Sequence, residues 1–306
     1  MRTERGKGEK LIIPAGTRKV SIAVAKAFAL TGGMSRAIPV TLTIAGSDCS
    51  AGAGIQADLK TFQHFQVHGL TAVTCVVSET ANEVRAIHAV PVEIVRDQVS
   101  LMLESFPVAA VKTGMLYSAV HVAAVADLLK EHPQVQIVVD PVMIASTGAS
   151  LLKRDAVAAY RDQLLPMATL ITPNLPEAEA LLGEEIPDEA AMESAVCLLS
   201  ERYQTAILLK GGHLDGDTCV DLLAMEGKIY RFSAARIPVA GSHGTGCTLS
   251  AAITACLAQG QPMPMAIQTA KRYLGESLRH SYTLHSPNSE AIHVLNQGTT
   301  FSKNEA

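Results

Sequence analysis

The chain is 306 residues long and carries a formal charge of −4 at pH 7; 48% of its residues are hydrophobic, 4% are aromatic and none is Trp. That length admits one large α/β domain or two small ones, and the apolar share is ample for a large core. An acidic chain without basic stripes or stacking aromatics argues against nucleic-acid binding, and no apolar run approaches the roughly 20 residues that cross a bilayer.

Charge is unevenly spread. Residues 1–33 hold seven Lys or Arg against two Glu, which leaves −9 on the remainder. Lys19 to Leu30 has amphipathic helical spacing, and the segment is basic in the manner of an organelle-targeting presequence. A disordered extension, or a start at Met34, fits the same residues. We expect 1–33 to be a disordered extension and 34–306 to be a single domain. The six cysteines, at 49, 75, 197, 219, 247 and 256, form no Cys-x-x-Cys pair. They read as reduced thiols of a cytoplasmic protein.

From Val40 onward, β-rich runs alternate with helix-period segments, the pattern of a mostly parallel sheet covered on both faces by helices. The first strand, Val40–Ala45, enters Gly46-Ser47-Asp48-Cys49-Ser50-Ala51-Gly52-Ala53-Gly54 and then a helix over Ile55–Gln66. These glycines do not fit the dinucleotide fingerprint, and no Walker sequence occurs. The loop reads as backbone brought against a small substrate at Gly46, with Asp48 offering a carboxylate, although the same residues also form plain turns. Strands at Thr71–Val77 and Ala109–Thr113 flank a helix over Val92–Ser105 and end in Ser78-Glu79 and Lys112-Thr113-Gly114-Met115. A helix over Ala119–Lys130 precedes the strand Ile137–Asp140, and Arg154–Leu164 reads as helical.

The strand Leu170–Thr172 leads through Pro173-Asn174 into helices at Pro176–Leu182 and Glu189–Tyr203. Ala206–Lys210 then ends in Lys210-Gly211-Gly212-His213. Cys219–Met225 and Lys228–Ser233 make a hairpin through Glu226-Gly227, and helices at Thr248–Gln259 and Met263–Tyr282 follow. Ligands of such sheets bind beyond the carboxyl ends of the strands, so the strand-ending polar residues converge on one rim.

Three of these rim groups carry chemistry. Asp140 and the Asn174-x-x-Glu177 pair supply oxygens suited to a hydrated Mg²⁺, which takes one or two carboxylates and leaves the rest to water and phosphate; each is also a plausible strand terminator or helix cap. Lys210 places a cation where a nucleotide phosphate could lie, or snorkels from a strand end. In Gly241-Ser242-His243-Gly244-Thr245-Gly246-Cys247-Thr248 the glycines turn the backbone so that the following helix aims its free N–H groups at an anion. Cys247, in the first turn, is expected to be driven toward the thiolate by the same field.

Seven motifs, in order from Val40 to Leu278, resemble the hydroxymethylpyrimidine/phosphomethylpyrimidine kinases of thiamine biosynthesis, within the ribokinase superfamily. They are Thr43-Ile44-Ala45-Gly46-Ser47-Asp48, the run Gly52 to Phe62, Lys112-x-Gly114-Met115-Leu116, Asp140-Pro141-Val142-Met143, Thr172-Pro173-Asn174-Leu175-Pro176-Glu177, Lys210-Gly211-Gly212-His213, and His243 to Ala252. The resemblance implies a ribokinase-like three-layer α/β/α fold, usually a homodimer, that uses ATP and Mg²⁺ to phosphorylate 4-amino-5-hydroxymethyl-2-methylpyrimidine and then its monophosphate. It assigns Gly244, Thr245, Gly246 and Cys247 to an anion hole, with Cys247 as base. Asp140 and Glu177 would organise the metal with Asn174, and Asn174, Lys210, Gly212 and Thr245 would meet ATP. Gly46, Asp48, Met115 and Val142 would line the pyrimidine pocket.

One position departs from the family. An Ala-Gln-Asn-Thr stretch is replaced by Ser78-Glu79-Thr80-Ala81. Ionised Glu79 accepts from the 4-amino group but repels a ring-nitrogen acceptor unless one partner is protonated. A pyridoxal kinase therefore stands as the alternative, and a non-catalytic ligand-binding relative as a more distant one.

Overall fold

The chain begins its sheet with β1 (Val40–Asp48), α1 (Gly54–His64), β2 (His68–Thr80), β3 (Glu83–Ala89), α2 (Val92–Ser105) and β4 (Val108–Thr113). It continues through α3 (Ala119–Lys130), β5 (Gln136–Val139), α4 (Arg154–Ala159), β6 (Leu170–Ile171), α5 (Leu175–Leu182), α6 (Glu189–Tyr203) and β7 (Ala206–Lys210). The hairpin β8 (Thr218–Met225) and β9 (Lys228–Ala235) precedes α7 (Thr245–Ala258), α8 (Met263–Arg279) and a second hairpin, β10 (Tyr282–Ser286) and β11 (Ser289–Val294). This computed structural model describes residues 37–143, 154–212, 214, 216–239, 241–287 and 289–298, with Ile38–Ala306 forming one unit. The expected extension 1–33 and its helix at Lys19 to Leu30 lie outside the described residues, as does His213.

Nine strands pair in the order β3-β2-β1-β4-β5-β6-β7-β8-β9. The six from β2 to β7 run parallel, and β3, β8 and β9 are antiparallel additions at the edges. Alternation within each strand makes the layers. In β5, Ile137 and Val139 enter one core with α2, α3 and α6, while Val138 enters the other with α7 and α8. Fully buried residues such as Leu42 and Ile44 each stabilise the fold by about 1.5–3 kcal/mol relative to exposure. This is the expected three-layer α/β/α arrangement with a mostly parallel sheet.

Chain order reverses at β1, which lies between β2 on one side and β4 on the other. A crevice opens beyond the carboxyl ends of strands at such a reversal. α7 lies across that point, with every residue from Thr248 to Leu257 buried. Its Ala, Ser and Thr side chains are small enough to let a helix lie close against β1, β4 and β5.

Several boundaries differ from expectation for physical reasons. β1 extends to Asp48 because the register shifts between Ala45 and Ser47 and pairing resumes with Val76 and Val77. β3 is not anticipated by the sequence pattern: its Glu, Arg and His residues face solvent on an edge strand and hide the strand period. The helix at Arg154 widens into a π-turn over Tyr160–Leu164. α8 stops at Arg279, where the Ser281 hydroxyl donates to the Leu278 carbonyl at 2.6 Å and closes the last turn. Among the described residues no helix is long and apolar enough to cross a membrane.

Candidate active site

The loops at the carboxyl ends of β1, β2, β4, β5 and β7 and the amino end of α7 enclose a cavity of about 350 Å³. Two glycines let these loops meet. A Cβ on Gly244, whose φ is +79°, would lie 2.0 Å from the Gly52 carbonyl oxygen. One on Gly54, with φ +57°, would lie 2.4 Å from the Gly46 carbonyl oxygen. No other residue fits either place.

Asp48 holds this crossing. Its Oδ1 accepts from the Ser50 amide at 2.7 Å, and its Oδ2 accepts from the amides of Gly52 (3.0 Å) and Ala53 (2.8 Å) and from His243 Nε2 (2.9 Å). Burial alone would raise its pKa, but His243, Ser50 and Ala53 more than offset this and hold the carboxyl at about 2. The side chain is 1% exposed and is not part of the cavity wall. The Asp48 carboxylate, expected at the substrate, here joins the β1 loop to His243, and His243 lines the cavity. His243 belongs to a sequence motif but has no role legible there, since its partner lies 195 positions away.

Gly244 caps α7 without a side-chain oxygen. The Thr245 amide and hydroxyl both turn back to the Ser242 carbonyl, at 3.1 and 2.8 Å. The amides of Gly246 and Cys247 remain as the first-turn donors for an anion. Gly244, Thr245, Gly246 and Cys247 all line the cavity, and Thr245 spends its polar groups on the turn itself.

Cys247 is half-buried on the cavity wall. Burial pushes the thiol up to about 11, and the nearby Asp58 and Asp140 carboxylates add to this, against the opposing effects of Lys112 and the Gly54 amide. Lys112 is itself fully buried beside Gly114, its Nζ paired with Asp58 Oδ2 at 2.9 Å, while the Thr43 hydroxyl donates to the same oxygen at 2.6 Å. Burial works against the ammonium, yet the Asp58 carboxylate keeps it charged.

The opposite wall carries Asp140, Asn174, Glu177 and Lys210. Asp140 Oδ1 accepts from Lys210 Nζ at 3.0 Å and from the Thr172 hydroxyl at 3.1 Å, and Oδ2 accepts from the Ser250 hydroxyl at 3.1 Å. Burial opposes its charge, but Lys210 and Lys112 hold its pKa down. Lys210 Nζ would be 3.4 Å from a Cβ on Gly246, so this cation stands against the anion loop. Asn174 and Glu177 form a reciprocal cap on α5: the Asn174 side chain accepts from the Glu177 amide at 2.9 Å, and Glu177 Oε2 accepts from the Asn174 amide at 2.8 Å. Asn174 is thus occupied locally. Burial, with Asp140 beside it, pushes Glu177 up to about 7 despite Lys210. Two crowded carboxylates of this kind fit a Mg²⁺ ion completed by water and phosphate oxygens, and no cluster of three or more candidate ligands occurs among the described residues. Gly212 is exposed and outside the cavity, its carbonyl accepting from Arg236 Nη1 at 3.0 Å.

The remaining wall is apolar with one acid: Gly46, Val77, Glu79, Gly114, Met115 and Val142. The Tyr160 hydroxyl donates to the Gly114 carbonyl at 3.0 Å and fixes that loop. Burial, reinforced by Asp48 and moderated by His243, pushes Glu79 up to about 6. Glu79 therefore changes protonation close to neutrality, which the sequence could not disclose.

A family model described as phosphomethylpyrimidine kinase matches residues 48–291. A thiamine biosynthesis bifunctional protein of Geobacter sulfurreducens is 43% identical over 254 residues, covering 83% of this chain and 52% of that protein, so the chain spans about half of its length. A hydroxymethylpyrimidine/phosphomethylpyrimidine kinase of Haemophilus influenzae is 42% identical over 243 residues, covering 78% of this chain and 90% of that one. The solved pyridoxal kinase from Staphylococcus aureus in complex with AMP-PCP and pyridoxal superposes with a TM-score of 0.77 at 31% identity, covering 86% of this chain and 94% of that chain. The match over residues 48–291, most of its length, with a relative 42% identical over 90% of that protein, shows that the chain belongs to the phosphomethylpyrimidine kinase family.

Proposed function

We propose that this kinase transfers the γ-phosphoryl group of ATP to the hydroxymethyl oxygen of 4-amino-5-hydroxymethyl-2-methylpyrimidine, and then phosphorylates the resulting monophosphate. The observation that carries the reading is the placement of Gly244–Cys247 and the Asp140, Glu177 and Lys210 wall around one cavity that also has an apolar ring-sized side. The relatives named above support it. In the first step the hydroxymethyl oxygen bonds to the γ-phosphorus, the bond from that phosphorus to the ADP oxygen breaks, and the hydroxyl proton passes to the Cys247 thiolate. The Gly246 and Cys247 amides and Lys210 stabilise charge gathering on the transferred group. Asp140 and Glu177 would hold Mg²⁺, which supplies neutralisation of phosphate charge.

Val142 and Met115 would flank the ring, and Glu79 would read its polar edge. The test is ADP release with Mg-ATP against the hydroxymethylpyrimidine, its monophosphate and pyridoxal in parallel. Turnover of the first two is expected. Turnover of pyridoxal alone would move the enzyme to vitamin B6 salvage, a second reading favoured by the superposition on a pyridoxal kinase. Assembly as a homodimer belongs to the same proposal, and a monomeric mass by light scattering would remove it.

A further inference from the structure

Beyond the last residue of the family match at 291, the chain leaves β11 and turns inward through Leu295, Asn296 and Gln297. Gln297 is 2% exposed. Its Nε2 donates to the Gly52 carbonyl at 3.1 Å and to Thr248 Oγ1 at 2.9 Å. Both partners are acceptors here, because the Thr248 hydroxyl already gives its proton to the Gly244 carbonyl at 2.7 Å. The amide can therefore face them only with its NH₂ group. Its Oε1 is left buried with no partner among the described residues, a cost that the two donor contacts must outweigh.

The backbone is held as well. The Tyr273 hydroxyl donates to the Gln297 carbonyl at 2.5 Å, and the Asn296 amide to the Ser277 carbonyl at 3.3 Å. With its backbone anchored to α8, Gln297 extends its side chain to the point where the two site loops cross, the same Gly52 carbonyl that would lie 2.0 Å from a Cβ on Gly244.

We infer that Gln297 is a positioning residue for phosphoryl transfer, clamping the β1 loop to the first turn of α7 and so fixing where the Gly246 and Cys247 amides and the Cys247 thiol stand. It acts through Gly52 and Thr248. The inference rests on the proposed phosphoryl transfer for its kinetic consequence, but not for its structural one.

The test uses the full chain with Gln297→Met, similar in shape but without donors, and Gln297→Glu, the same shape with two acceptor oxygens facing two acceptors. The expected kcat for ADP release falls about 10-fold in the Met variant and about 100-fold in the Glu variant, as for a reacting group held slightly out of place. KM for ATP and for the pyrimidine should stay within about threefold, and thermal unfolding should remain cooperative. Alkylation of Cys247 by iodoacetamide, followed by mass spectrometry of its peptide, should quicken at least about fivefold in the Met variant as the loop loosens. An unchanged kcat and alkylation rate, or equal losses in the two variants, would overturn the clamp. If the Glu variant does not fold, the Met variant decides through its split of kcat from KM. A wild-type chain inactive on every acceptor would sink the proposed function, and the alkylation rates would still decide the clamp.

Discussion

At Cys247, burial and two carboxylates outweigh Lys112 and the Gly54 amide, so a thiol at about 11 leaves only a small thiolate fraction at neutral pH. If that thiolate takes the hydroxymethyl proton, the active form is the deprotonated one, and kcat/KM must rise with pH. The expected slope of its logarithm is near one from about pH 7.5 to about pH 10. Cys247→Asp, already ionised over that range, should flatten the profile, and Cys247→Ala should lose about 10²- to 10⁴-fold in kcat. A flat wild-type profile would remove the thiolate as base. Glu79 titrates at about 6, with the neutral acid below and the carboxylate above. The neutral acid can donate to a ring nitrogen, whereas the carboxylate only accepts. KM for the pyrimidine is therefore expected to fall as pH drops through 6. Glu79→Gln, donor and acceptor at every pH, should retain only the ring's own titration, and superimposable KM profiles would show that Glu79 does not read the ring.

At the level of elements, what the sequence discloses depends on how local the controlling interactions are. The cap on α5 is readable because Asn174 and Glu177 sit three residues apart, and the glycine loop before α7 because its turn and its helix are contiguous. Asp48 reads as a substrate contact because its tie to His243 spans 195 positions and leaves no local trace. The edge strand β3 and the hairpin β10–β11 escape sequence reading because edge exposure erases the alternation that a half-buried strand displays. The crossing of the β1 loop over α7 is equally non-local, and it makes Gly244, like Gly54, far less replaceable than the left-handed glycines that stand in open space. Gly260 has φ +80° and no atom within 4 Å of where a Cβ would stand, so Gly260→Ala should cost only about 1 kcal/mol. Gly244→Ala adds a collision with backbone and should cost at least about 3 kcal/mol, with activity lost. Equal urea midpoints for the two variants would show that the loops part easily.

Across the whole molecule, the elements that meet at the reversal at β1 are joined by a buried ion pair. Thr43 of β1, Asp58 of α1 and Lys112 of β4 join there, with both charged side chains at 0% exposure. This pair ties three elements at the point where the sheet divides, and Asp58 Oδ1 has no partner among the described residues. Buried pairs of this kind rarely stabilise a fold more than apolar residues of similar size would, whereas removing one partner strands the other. Lys112→Met alone should therefore destabilise by about 3–5 kcal/mol, and Lys112→Met with Asp58→Leu should recover most of that loss. Stability and catalysis then separate. Lys112 is the cation that most opposes the raised pKa of Cys247, and Asp58 adds to that pKa less strongly, so in the stable double variant the two losses partly cancel, neutral-pH turnover should stay below wild type, and the alkaline rise should shift modestly to higher pH. Denaturant midpoints read together with kcat at pH 7.5 and pH 9.5 check this. A double variant that regains both stability and neutral-pH activity would make the pair purely structural, and one that regains neither would mean that the ion pair itself holds β1, α1 and β4 in register.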